Sequence, residues 1–169
     1  MPLCDQIDIS APPDAVWPRI ADPVLMAEWN PKLVAIDRDA DGPVRLGEHY
    51  TALYRMSGRD RESAVEVIAC EPPRRLVLRH TFTTNGRTRV AVESYELIPQ
   101  DGGSRLEQSV DLSQAGIPAP FRMVIGLIHR FGRSAEEPYL ERLRALAEDD
   151  PREHRPGTTP SANPGPRST

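Results

Sequence analysis

Residues 75–95 read RLVLRHTFTTNGRTRVAVESY, and this stretch decides the fold. Asn85-Gly86 is the pair favoured where a two-residue hairpin turn requires positive φ at both positions. A turn there sets Thr84 opposite Arg87, Phe82 opposite Arg89, His80 opposite Ala91, Leu78 opposite Glu93 and Leu76 opposite Tyr95. Strand side chains alternate, so those residues share one face. Thr81, Arg79 and Val92 take the other, which makes Leu76-Leu78-His80-Phe82 the inner face and places Glu93 inside, diagonal to His80. A one-residue slip would invert every assignment.

Working outward, Ser63–Cys70 and Tyr50–Met56 alternate as strands, and Glu71-Pro72-Pro73-Arg74 links the first of them to the hairpin. Ser57-Gly58-Arg59-Asp60 reads as a polar turn, and the charge run Arg59 to Glu62 as solvent-exposed. Leu33–Asp37 and Cys4–Ile9 are further strands, with Asp41-Gly42-Pro43 turning the chain. Pro12 and Pro13 suit a first helical turn, followed by Val16, Trp17 and Ile20 at helical spacing. Pro18 is expected to kink or shorten this helix. A second short helix covers Pro23 to Glu28 and ends at Trp29-Asn30-Pro31.

Downstream, Gln100 to Ser104 turns into a strand that carries Leu106, Gln108, Val110 and Leu112 inward. Beyond Pro118 an amphipathic stripe runs through Phe121, Val124, Ile125, Ile128 and Phe131, then Leu140, Leu143 and Leu146. Pro138 interrupts it. Ser134 and Glu137 could box a fresh start, so this helix is kinked or split near Gly132.

Residues 1–148 form one domain on this reading, and the Pro-rich residues 149–169, with almost no apolar side chain, form a disordered tail. A net charge of −4 argues against nucleic-acid binding. Arginine almost replaces lysine, Lys32 being the only one, as in a GC-rich bacterial genome. Cys4 and Cys70 read as small buried residues, too few for a disulfide framework. Neither a secretory leader nor an apolar run of membrane-spanning length is found, so a cytoplasmic location is expected.

An antiparallel sheet of this kind needs a cover on one face, and the terminal helix is the long candidate. The expected fold is therefore α+β. The segments Ile9-Ser10-Ala11-Pro12-Pro13, Val16-Trp17, Ile20-Ala21-Asp22-Pro23 and Trp29-Asn30-Pro31 resemble the opening of the START-like (SRPBCC) polyketide cyclase/dehydrase family. Val44, Gly47, Tyr50, Glu71 to Leu76 and Tyr95 to Pro99 continue the likeness. The resemblance implies a helix-grip fold, in which a curved antiparallel sheet of about seven strands wraps a long C-terminal helix, with two short helices after the first strand. It also implies a largely apolar cavity under that helix, and carries no shared catalytic motif.

Such a cavity takes a few polar groups to orient its ligand. The inner-face candidates are Tyr50, Tyr54, His80, Glu93, Tyr95 and Gln108, with Trp29, Phe121, Val124 and Ile128 as apolar wall. His80 with Glu93 could serve as an acid–base pair for enolisation or dehydration, with Tyr54 or Tyr95 donating to an enolate oxygen, or could be a satisfied buried pair. Tyr50 and Tyr54 could bind a ligand carbonyl or simply be core aromatics. Trp17 reads as structural, and His49 and His129 as lone histidines. Arg122, Arg130 and Arg133 form a solvated face or meet the acidic surface of an acyl-carrier protein. With no phosphate loop, nucleophile elbow or metal-ligand cluster, neither cofactor nor metal is expected. The function expected is binding or carriage of a small hydrophobic metabolite (polyketide-, lipid- or quinone-like), the alternative a cofactor-free polyketide cyclase or dehydratase.

Overall fold

The computed structural model describes residues 3–56, 58–116 and 138–149. The Asn85-Gly86 turn holds the register: φ is 53° at Asn85 and 69° at Gly86. Strands β5 (Arg75–Thr84) and β6 (Arg87–Gln100) pair from Thr84 with Arg87 back through His80 with Ala91 to Leu76 with Tyr95. The other strands are β1 (Leu3–Ile9), β2 (Leu33–Asp37), β3 (His49–Met56), β4 (Arg59–Glu71) and β7 (Gly103–Asp111). They form one open sheet in the order β1-β7-β6-β5-β4-β3-β2, antiparallel at every pairing. With helices α1 (Pro13–Ala21), α2 (Pro23–Trp29) and α3 (Pro138–Glu148), this is an α+β arrangement consistent with a helix-grip fold.

The two short helices follow from local chemistry. Pro12 and Pro13 open α1, and the helix continues through Pro18 to Ala21. Asp22 then caps α2, its carboxylate accepting from the Val24 amide at 2.9 Å. Val16, Ile20, Met26 and Trp29 project from this pair into a core shared with Leu76, Leu78, Leu97 and Leu106 of the sheet and Leu143 of α3. The Ser10 amide donates to Glu148 Oε1 at 2.8 Å, tying the end of α3 to the start of the chain.

Three expectations are corrected. Arg59 and Asp60 belong to β4, not to a turn. Arg55 and Asp60 face each other across β3 and β4 and form an ion pair at 2.7 Å, so these charges sit on the ladder. Cys4 is exposed because it alternates outward on the edge strand β1, and Cys70 is only partly buried. Leu112 lies beyond β7, which stops at Asp111, where the carboxylate accepts from the Ser113 amide at 2.8 Å. The expected long helix is not found among the described residues, where the C-terminal helix is the 11-residue α3; Phe121, Val124, Ile128 and the proposed split near Gly132 lie outside the described residues, as do residues 150–169.

Candidate functional site

Strand alternation brings His80, Glu93, Tyr95 and Gln108 onto one face. Glu93 is their hub. Its Oε1 accepts from the Tyr95 hydroxyl at 2.8 Å and from Gln108 Nε2 at 2.6 Å. Gln108 Oε1 in turn accepts from the Tyr139 hydroxyl of α3 at 2.6 Å, which fixes the amide's orientation. On the other side, His80 Nε2 lies 3.3 Å from Glu93 Oε2. That contact is electrostatic and attractive when the imidazole is protonated. It is not aligned as a hydrogen bond, and His80 Nε2 is left buried without a hydrogen-bond partner.

The surroundings are apolar and aromatic. Ala52, Val65, Leu76 and Leu78 are buried alongside. The Tyr54 ring meets the His80 ring edge-on at 5.4 Å. Trp29 stacks on Tyr139 with centroids 6.0 Å apart and stands edge-on to Tyr95 at 6.4 Å. Lys32 Nζ lies 5.7 Å from the Tyr139 ring centre, within cation–π range.

Burial alone would push the Glu93 carboxyl up. The His80 imidazole beside it and the hydrogen bonds from Tyr95 and Gln108 overcome that and hold it below the usual carboxylate range. Burial, reinforced by the negative charge of Glu93, pushes the phenols of Tyr50, Tyr54 and Tyr95 up. All three are therefore neutral donors at physiological pH. Tyr95 spends its proton on Glu93, whereas Tyr54 makes no hydrogen bond among the described residues.

Of the residues singled out in the sequence, His80, Glu93, Tyr95 and Gln108 are thus brought together, with Tyr54 against His80. Tyr50 sits on the same face, opposite Val65, which in turn faces His80. Trp29 is fully buried, its indole N–H donating to the Arg19 carbonyl at 2.8 Å, so it supports the cluster as packed core. His49 is exposed, and Arg122, Arg130 and Arg133 lie outside the described residues, as does His129. Sequence reasoning missed Tyr139 and Lys32. Tyr139, Leu143 and Leu146 stand at i, i+4 and i+7, and that spacing could have placed Tyr139 on the inward side of α3.

A profile described as polyketide cyclase / dehydrase and lipid transport matches residues 5–148. The chain belongs to this polyketide cyclase/dehydrase and lipid transport family. No curated protein matches it. Among solved structures, a protein from Chromobacterium violaceum is 21% identical with a TM-score of 0.64, over 88% of this chain and 98% of that one. A protein from Mesorhizobium loti is 20% identical with a TM-score of 0.63, over 86% and 96% of the two chains. DynU16, from the dynemicin biosynthetic locus, is 20% identical with a TM-score of 0.60; the match covers 88% of this chain and 47% of DynU16. At these identities the likeness shows the fold. No described helix of this cyclase/dehydrase and lipid transport family member is long and apolar enough to cross a membrane.

Proposed function

We propose that this family member binds a small hydrophobic metabolite (polyketide-, lipid- or quinone-like) between the inner face of the sheet and the C-terminal helical segment, as a binding or carrier protein. The observation that carries the reading is the buried Nε2 of His80, which makes no hydrogen bond among the described residues and lies beside the apolar Ala52, Val65 and Leu78. Buried polar atoms are almost always satisfied, because an orphan costs about 1–3 kcal/mol. A ligand carbonyl or hydroxyl reaching His80 would remove that cost, while Ala52, Val65 and Leu78 contact its apolar body. Native mass spectrometry with organic extraction, on protein purified from its own host, tests this directly. A stoichiometric apolar metabolite is expected, and repeated preparations without one would count against the carrier reading.

A second reading is a cofactor-free cyclase or dehydratase, and the His80–Glu93 contact favours it. His80 would take a proton from the methylene between two ligand carbonyls. Glu93 would stabilise the resulting imidazolium, and Tyr54, whose hydroxyl makes no hydrogen bond among the described residues, would donate to the enolate oxygen. The enolate carbon would then add to a second carbonyl, and the imidazolium would return the proton to the new alkoxide. On this reading His80→Ala and Glu93→Gln abolish turnover of a poly-β-ketone probe while leaving its binding within a few-fold of wild type. Equal loss of both would leave only the binding role.

A further inference from the structure

The described arginines that are at least partly buried generally meet a carboxylate: Arg19 pairs with Glu28, Arg38 with Glu48, Arg105 with Asp8 and Arg144 with Glu141. Arg61 and Arg89 do not. Both are half-buried, neither has an acidic partner among the described residues, and the remaining described arginines without one are all exposed. A guanidinium is always charged and offers five N–H donors, so partial burial on an apolar face without a counter-ion is unfavourable.

Both point to the inner face. Arg61 is opposite the buried Tyr54, and its Nη1 donates to Thr84 Oγ1, a neutral acceptor that occupies little of the guanidinium's donor capacity. Arg89 is opposite Phe82, on the face that carries Ala91 and Glu93. Its guanidinium lies against Gly116, where any Cβ would fall inside it. The segment leading to Gly116 is held beside β6 by the Val90 amide donating to the Gln114 carbonyl at 3.2 Å. Thr84 and Phe82 thus lie between the two arginines, at the end of the sheet nearest the Asn85-Gly86 turn, with His80 two residues further in.

We propose that Arg61 and Arg89 bind an anionic head group, carboxylate or phosphate, on a ligand whose apolar body lies over Phe82 and Tyr54 and whose far end reaches His80. The inference rests on the hydrophobic-ligand reading above and adds polarity to it: the ligand is an amphiphile with its charge at the turn end of the sheet.

Isothermal titration calorimetry with dodecanol, dodecanoate and dodecyl phosphate, at fixed ionic strength, neutral pH and below micelle-forming concentrations, tests it. At least one of the anions should bind about tenfold or more tightly than the alcohol, as a charge-assisted hydrogen bond implies. The tighter anion identifies the head group as carboxylate or phosphate. Arg61→Gln and Arg89→Gln should each remove most of that preference, lowering the anion's affinity toward that of dodecanol, while Arg79→Gln on the outer face changes nothing. Arg61→Lys and Arg89→Lys, checked by circular dichroism, should retain part of the preference and serve where a Gln variant fails to fold. Dodecanol binding as tightly as both anions, or a preference that survives both substitutions, overturns the head-group site alone. If none of the three probes binds, the hydrophobic-ligand reading falls and the head-group site falls with it.

Discussion

Glu93 is the carboxylate around which the polar side chains of the inner face gather. Its carboxylate is held by two hydrogen bonds and one imidazole, and each hydrogen bond to a charged group contributes about 1.5–3 kcal/mol. Glu93→Ala leaves Tyr95, Gln108 and His80 facing a gap, and should lower the unfolding free energy by about 3 kcal/mol in urea titrations. Glu93→Gln keeps an acceptor for Tyr95 and should cost about half as much. Tyr139→Phe keeps the stack on Trp29 but removes the donor to Gln108, for an expected loss of about 1 kcal/mol by the same assay. The sheet part of this cluster was legible because alternation from one turn fixes which side chains share a face. Tyr139 was not, because no register rule links a helix to a strand 31 residues earlier.

At the scale of elements, the β5–β6 hairpin is the part that local chemistry specifies most fully. Gly86 sits at φ 69°, a conformation that costs a residue with a Cβ about 1–2 kcal/mol. Gly86→Ala should therefore lower stability by about that amount, seen as a reduced urea midpoint with an unchanged slope. The β3–β4 turn was misread for an equally physical reason. A run of four charges resembles a solvated loop, yet on paired strands opposite charges face each other and support the ladder, as Arg55 and Asp60 do. That same misreading concealed Arg61, which alternation turns inward once β4 is known to begin at Arg59. The order of elements along the chain and the two Pro-led helices were legible; how α3 docks against them was not, because helix stripes state which face is apolar and not what it meets.

The whole molecule inherits its pH response from carboxylates held below their usual range. Glu93 is one, held down against burial by His80, Tyr95 and Gln108; Glu48 is another, held down chiefly by its hydrogen bond with Arg38. A carboxyl whose folded pKa is depressed stabilises the fold above its unfolded value, about 4.3 for glutamate, and that contribution is lost as pH falls through the folded value. Urea midpoints should therefore change little through the neutral range and fall below about pH 4.5, with a shallower fall in Glu93→Gln. The closure of α3 onto the sheet has a different kind of consequence, one of timing. Tyr139 reaches back to Gln108, and Glu148 reaches back 138 residues to Ser10. A nascent chain can have all seven strands clear of the ribosome while these partners are still unmade. The sheet can then assemble first, but the polar wiring of its inner face is finished only when α3 is delivered.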